Sequence, residues 1–390
     1  MPKKILIFSI AYYPRHVSGA EAAIKEITDR ISDIEFHMVT LRFDVSDPAE
    51  EKIGNIFVHR VGSGGSYFSK ILFPLSSALL AKKLYRQYHF DSLWAMMTYM
   101  LLPVALLHTL GLSIPYAVTL QDGDPYEKVF GRMRIRPFIP FIDWGFKNAT
   151  IIQTISTYLA TWPRKRGYAG EIVQIYNGAN PKDLHDSVSG EEVSAVKEKV
   201  GKRSGDIYIG NSARLVYQKG FDTTLRALPL LPENIHFLIV GGGEDEEKLK
   251  VLAAELGVEK RVIFTGQVDR NEVTKYRKAM DIFVGPSRSE GLGNAFLSAM
   301  ASRIPVVATQ EGGIAEFLFD EKRNPGVPST GWAVDADNPQ QIAQAIEEIL
   351  ASPEKVKRVT ETARKMVEEK FDWDTIAKDM RVNVFAKVLA

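Results

Sequence analysis

Short apolar runs rich in β-branched residues recur along the chain, and between them apolar positions return every three or four residues. Continuous apolar runs fit strands covered on both faces, and the wider spacing fits helices lying across them. The pattern predicts strands at 5–10, 35–40, 56–60, 93–97, 116–120, 150–154 and 172–175. After a charged stretch at 191–202 the rhythm restarts, with strands at 207–211, 236–240, 262–264, 282–284, 305–308 and 331–334. Two helical stretches, 353–370 and 373–389, close the chain without another strand. Alternating strand and helix implies right-handed crossovers and parallel sheets. Two series, with a break near 178–205, imply two doubly wound α/β domains. Ligands are then expected at the carboxyl ends of the strands, in a central cleft where the two sheets face each other.

Two segments compete with this reading. Lys3-Lys4 followed by the apolar run 5–13 resembles a short signal peptide, yet Pro14-Arg15 interrupts it and no small-residue cleavage site follows. A buried first strand accounts for it better. Residues 92–121 carry no formal charge and are long enough to span a bilayer. Pro103, Gly111 and Pro115 divide them into strand 93–97, helix 98–110 and strand 116–120, the interior of an α/β domain.

Composition then narrows the chemistry. The 390 residues hold 49 Lys plus Arg and 48 Asp plus Glu, a net charge of +1 without the basic surplus of a nucleic-acid protein. There is no cysteine, which excludes thiolate catalysis, disulfides and cysteine-held zinc or iron–sulfur centres. Walker, dinucleotide, nucleophile-elbow and H-E-x-x-H motifs are all absent.

Three loops after predicted strands carry candidate chemistry. Gly241-Gly242-Gly243 either lets backbone approach a ligand or simply turns the chain into the helix begun by Glu244 to Glu247. Arg214 and Lys219, five apart in a strand-to-helix loop, have the charge to converge on a diphosphate, the Arg as a planar fork and the Lys as a point charge. Gly285-Pro286-Ser287-Arg288-Ser289-Glu290-Gly291-Leu292-Gly293-Asn294 runs from a strand into a helix near 294–301. Glycines before a helix N-terminus suit phosphate, whereas Glu290 would repel phosphate and suits sugar hydroxyls. Phosphate and hydroxyls side by side suggest a sugar nucleotide.

These residues resemble the retaining glycosyltransferases of family 4, which have the two-domain GT-B fold. The likeness runs through Tyr13-Pro14, Ser18-Gly19-Ala20-Glu21, Ile175-Tyr176-Asn177-Gly178-Ala179-Asn180, Arg214…Lys219-Gly220 and Phe264-Thr265-Gly266-Gln267-Val268. It continues through Pro286-Ser287…Glu290-Gly291-Leu292-Gly293 and Gly312-Gly313-Ile314-Ala315-Glu316. The resemblance implies an acceptor-side Rossmann-like domain at 1–180, a nucleotide-sugar-binding one at 181–370, and a final helix, 371–390, crossing back to the first. It implies that Arg214 and Lys219 hold the diphosphate, Val268 meets the base and Glu290 holds hydroxyls of the donor sugar. Backbone N–H groups of Gly291, Leu292, Gly293 and Asn294 complete the phosphate site, and Gly19 lets its loop approach donor phosphate or acceptor. The reaction implied is metal-independent hexosyl transfer, with retained configuration, from a nucleotide diphosphate sugar to a glycan or lipid-linked acceptor. No further cofactor and no nucleic acid are expected, and the location implied is cytoplasmic, at the inner face of a membrane where the acceptor is lipid-linked.

Two positions depart from that pattern. Ser298 stands eight residues after Glu290, where the family's second carboxylate grips the ribose. Gln121 stands where the family often has a catalytic His; it forms hydrogen bonds but cannot become a cation. A non-catalytic GT-B relative that binds sugar or stabilises a partner is therefore the rival reading. Asp122-Gly123-Asp124 has the form of a divalent-metal triplet, although an Asp-Gly turn explains it more simply. Arg132 to Ile142 alternates cations with large apolar residues, which suits either an anionic membrane surface or a core helix with a basic rim. His16 is either an acceptor-facing group or a surface-loop histidine.

Overall fold

In the computed structural model, which describes residues 2–15 and 17–390, each of those apolar runs forms a strand. His16 lies outside the described residues. The chain divides into two units, Met1–Asn177 with Trp373–Ala390, and Gly178–Asp372.

The first unit carries β1 (Lys3–Phe8), β2 (Ile34–Leu41), β3 (Glu50–Ile53), β4 (Ile56–Val61), β5 (Ser92–Met96), β6 (Tyr116–Leu120), β7 (Ile151–Thr154) and β8 (Ile172–Gln174). Their order is β3-β4-β2-β1-β5-β6-β7-β8. All pairings are parallel except β3 with β4. The sequence pattern does not anticipate β3, because Glu50, Glu51 and Lys52 give it no apolar run. Such charges suit an edge strand, where they discourage pairing with another chain.

The second unit carries β9 (Ile207–Ser212), β10 (Ile235–Val240), β11 (Val262–Phe264), β12 (Ile282–Gly285), β13 (Val306–Ala308) and β14 (Trp332–Ala333). They form one parallel sheet in the order β11-β10-β9-β12-β13-β14. In both units the strand order reverses once, between β1 and β5 and between β9 and β12. Loops leaving the carboxyl ends diverge at such a reversal and open a crevice.

The uncharged stretch 92–121 is β5, a tight turn at Thr98–Met100, the helix Leu101–Thr109 and β6. Pro103 falls in the first turn of that helix, where its missing N–H has no intrahelical role. Among the described residues no helix is long and apolar enough to cross a membrane.

The chain's last segment returns to the first unit as Trp373–Asp379, a wider π-type stretch Met380–Phe385, and Ala386–Val388. Trp373, Ile376, Met380, Val384 and Phe385 join Ile5, Phe36 and Trp94 in one core. The Phe385 ring stands edge-on to Trp94 at 5.0 Å and to Phe36 at 5.8 Å between centroids. Phe385 has no exposed surface. Its removal leaves a cavity, and Phe385→Ala is expected to destabilise the first unit by about 3–5 kcal/mol. Urea unfolding followed by tryptophan fluorescence checks this; a loss below about 1 kcal/mol would show that the last segment is not part of the core.

Candidate functional site

The loops leaving β9 and β12 meet at the reversal of the second sheet. The β9 loop carries Arg214 to Gly220, with a short turn at Tyr217–Lys219 before the helix Phe221–Ala227. The β12 loop carries Pro286 to Gly293 and enters the helix Asn294–Ala301. Close backbone approach holds them together. A Cβ on Gly220, whose φ is +67°, would lie 2.2 Å from the Pro286 carbonyl oxygen. Across the contact, the Lys219 ammonium stands 2.5 Å from Glu290 Oε1, which also accepts from the Ser287 hydroxyl at 3.1 Å. Glu290 is only 6% exposed, so its charge is held by these donors rather than by water.

Sequence reasoning gave Arg288 no role, although it lies inside the motif. Its backbone N–H donates to the Gln218 carbonyl at 2.7 Å, and its guanidinium donates to the Tyr217 carbonyl at 2.6 Å. The same guanidinium is bidentate to Asp222 at 2.9 and 2.7 Å, reaches Asp337 at 2.5 Å and lies 4.0 Å from the Tyr217 ring centroid. Burial alone would lower its pKa; the hydrogen bonds to Asp222 and Asp337 outweigh that and raise it. No local signal discloses this clamp in the sequence, because Asp222 and Asp337 lie 66 and 49 residues from Arg288.

The remaining site residues of the second unit are spread along the same edge. Arg214 is exposed, and while its carbonyl accepts from the Val216 N–H at 3.0 Å, its guanidinium makes no ion pair or hydrogen bond with the described residues. Val268 is half-buried in the loop after β11. Gly291 and Leu292 are buried, so the accessible part of the loop begins at Gly293 and Asn294. Phe296 and Leu297 N–H groups already donate to the Gly293 carbonyl, leaving those of Asn294 and Ala295 for an anion. Ser298 is 3% exposed; its hydroxyl donates to the Asn294 carbonyl at 2.9 Å and accepts from the Asn180 N–H at 3.0 Å. Gly241 and Gly243 answer to packing, since a Cβ on either would sit 2.2 Å from the carbonyl oxygen of Ala213 or Leu215.

Gly19 and Gln121 belong to the first unit. Gly19 opens the helix Gly19–Thr28 behind β1, where Glu21 accepts from the Ser18 N–H at 2.7 Å. Gln121 follows β6, and its oxygen accepts from Asn177 Nδ2 at 2.7 Å, a bond that does not use its amide donors. Next to it, Asp122 is buried and accepts from the Thr98 hydroxyl at 3.1 Å and the Thr98 N–H at 3.4 Å. Asp124 instead meets Lys128 at 3.0 Å and Arg132 at 3.1 Å. The two carboxylates thus serve different partners, and among the described residues no cluster of three His, Asp or Glu could hold a metal ion.

Residues 193–366, within the second unit, match the family described as glycosyl transferases group 1. An uncharacterised glycosyltransferase of Methanocaldococcus jannaschii is 34% identical over 54% of this chain and 53% of its own length. A GDP-mannose-dependent alpha-(1-6)-phosphatidylinositol monomannoside mannosyltransferase of Mycobacterium tuberculosis is also 34% identical, over 42% of this chain and 44% of its own. In these two comparisons the chain spans about half the length of the relative. Sucrose-phosphate synthase of Thermosynechococcus elongatus superposes with a TM-score of 0.84 at 19% identity, covering 98% of this chain and 99% of that one. The two α/β units have the GT-B fold.

Burial raises the Asp122 pKa from 3.8 to about 6, more than the Thr98 hydrogen bonds lower it. Between those values the folded state binds the proton more tightly than the unfolded chain does. Stability therefore falls as pH rises through that window, and the whole penalty, up to about 3 kcal/mol, is present above it. Asp122→Asn keeps an acceptor for Thr98 and carries no charge. It is expected to be more stable than the native protein by about 1–3 kcal/mol at pH 8, with the gain vanishing near pH 4. Urea midpoints at the two pH values test this, and a gain independent of pH would contradict it.

Proposed function

We propose that the protein is a retaining glycosyltransferase that moves a hexosyl group from a nucleotide diphosphate sugar to a hydroxyl of a glycan or lipid-linked acceptor, without a metal. The observation that carries the reading is the Lys219–Glu290 contact at the β9/β12 reversal, with Arg214 exposed on the same loop. An ammonium has three donors. One holds Glu290 and the others are left for a diphosphate, so phosphate and sugar sites adjoin without any rearrangement of the pair.

In this mechanism the leaving diphosphate gathers negative charge as the glycosidic bond breaks. Arg214, Lys219 and the N–H groups opening the helix Asn294–Ala301 stabilise it by fixed charges and dipoles. Glu290 accepts from sugar hydroxyls and orients the donor, while Val268 borders the base. Gln121, oriented by Asn177, donates from its amide to a sugar hydroxyl. The acceptor hydroxyl attacks from the face of the departing diphosphate, whose oxygen takes its proton, and configuration is retained. No acidic nucleophile is required. The relative named as a GDP-mannose-dependent mannosyltransferase supports a nucleotide-sugar donor and a lipid-borne acceptor. With such an acceptor the enzyme works in the cytoplasm, at the membrane's inner face.

Two experiments test the reading. Arg214→Ala and Lys219→Ala should each weaken UDP or GDP binding about tenfold or more in calorimetric titration, since charge-assisted hydrogen bonds contribute roughly 1.5–3 kcal/mol. Uridine or guanosine without phosphate should bind them as it binds the native protein; an equal loss there would indicate misfolding. Release of nucleoside diphosphate from donor plus acceptor should persist in EDTA, and Glu290→Ala should reduce that turnover far more than it reduces diphosphate affinity. Binding without turnover across donors and acceptors would favour the non-catalytic relative, and metal-restorable loss in EDTA would favour a metal site.

A further inference from the structure

The helix Tyr67–Tyr88 is apolar on two faces. Phe73, Ala78, Ala81 and Leu84 are buried in the first unit. The opposite face exposes Phe68 (69%), Ile71 (50%), Leu72 (46%), Leu75 (48%) and Leu79 (51%). From Phe68 through Leu72, Leu75 and Leu79 to Lys83 and Arg86, these positions recur every three or four residues, so they form one stripe along the helix. Apolar patterning on both faces reads in sequence as a helix buried all round; only the fold shows that one face has no cover.

A second element meets it. Residues Met133–Phe138, in the stretch read from sequence as either a membrane-facing surface or a core helix with a basic rim, form an exposed 3-10 stretch with no buried residue. Met133 is 79% exposed, and Phe138 and Phe141 stand out beside it at 43% and 42%. The Arg134 guanidinium donates to the Tyr67 hydroxyl at 3.3 Å and lies 6.0 Å from its ring centroid, which joins this stretch to the N-terminal end of the helix. The charge is of one sign. Residues 67–88 and 132–142 contain Lys70, Lys82, Lys83, Arg86, Arg132, Arg134 and Arg136, and no acid. Arg132 is neutralised by Asp124 and Lys82 donates to the Leu110 carbonyl, but Lys83, Arg86, Arg134 and Arg136 have no acidic partner among the described residues.

We infer that this face of the first unit docks on an anionic lipid bilayer, with the helix Tyr67–Tyr88 lying in the plane of the headgroups. Large apolar side chains so gathered mark an interaction surface. Apolar groups entering the acyl boundary, with cations alone around them, complement a negatively charged leaflet. Arg164 and Arg166, also basic in sequence, take no part. Arg166 is paired with Asp143 at 2.5 Å, and Arg164 donates to the Tyr168 and Gly170 carbonyls. The inference deepens the lipid-linked-acceptor reading above but rests on this surface alone.

Co-sedimentation of the full chain with vesicles of phosphatidylcholine, alone or mixed equally with phosphatidylglycerol, tests it without any turnover step. Binding to the mixed vesicles is expected, with little to the neutral ones, and should weaken as salt is raised. Arg134→Gln with Arg136→Gln should weaken partitioning about 25-fold, at roughly fivefold for each cation. Phe68→Ser with Leu75→Ser should weaken it about tenfold or more. Circular dichroism and urea midpoints confirm that both double variants fold. Absence of binding by the native chain, or unchanged binding by either folded double variant, would overturn the inference. So would a dimer in solution that Phe68→Ser with Leu75→Ser dissolves, because the face would then belong to a second copy. Loss of turnover with vesicle binding intact would remove the enzymatic reading and leave the docking surface standing.

Discussion

Where the order of a parallel sheet reverses, the two loops beside the reversal run to helices on opposite faces and part company. In the second unit those are the loops after β9 and β12, and Arg288 is what ties them together. One guanidinium spends its donors on Asp222, Asp337 and the Tyr217 carbonyl while its plane covers the Tyr217 ring. Every partner but Asp337 lies on or just after the β9 loop, whereas Arg288 lies on the β12 loop. Lys219 follows Tyr217 by two residues and Glu290 follows Arg288 by two, so the clamp fixes both ends of the contact between them. A lysine at 288 would supply one point of charge where a planar fork meets two carboxylates. The Lys219–Glu290 geometry thus depends on an arginine that need touch no ligand.

Most of the fold was legible because it follows from periodicity. A strand buried on both faces shows a nearly unbroken apolar run, and Ile5–Phe8, Tyr116–Val118 and Phe237–Val240 stand out for that reason. β3 was not legible, since its pairing rests on backbone bonds to β4 while three of its four side chains are charged. The site was legible in part. The residue types suggest phosphate chemistry at Gly291 to Asn294 and at Arg214 and Lys219, and the structure brings Lys219 to Glu290. Arg288 and Asn177 are invisible to such reasoning, because their roles come from partners 66 and 56 residues away, Asp222 and Gln121. The glycine triplet after β10 misleads for the opposite reason. Its first and last members serve backbone packing, and residue type cannot distinguish that from approach to a ligand.

Both sheets place a buried carboxylate just past the carboxyl end of a strand, and they stabilise it differently. Glu290 receives an ammonium and a hydroxyl. Asp122 accepts from the Thr98 hydroxyl and over a longer distance from the Thr98 N–H, and because burial outweighs these bonds its proton affinity rises. Thr98 follows Met97, a non-glycine residue held at φ 72°, a conformation that costs energy and persists only when its surroundings over-determine it. Strain and an underpaired charge therefore coincide where β5 and β6 end, beside Gln121. Neither improves packing, and a core selected for stability alone would carry a neutral residue there.

Ser298 shows how a buried hydroxyl can be engaged in holding its own loop and helix together. A hydroxyl has one proton to give and two lone pairs. Here the proton goes to the Asn294 carbonyl and one lone pair to the Asn180 N–H, so a single acceptor position is left over. Asn180 in turn caps the helix Pro181–Leu184 by accepting from the Lys182 N–H at 2.9 Å. The side chain therefore anchors the turn through which the chain enters the second unit, a role in which its proton is as useful as its lone pairs. A carboxylate in its place could receive the Asn180 N–H but could not donate to Asn294, and it would add a negative charge near a bound diphosphate. On the glycosyl-transfer reading, its absence leaves Arg214 and Lys219 with less repulsion to overcome.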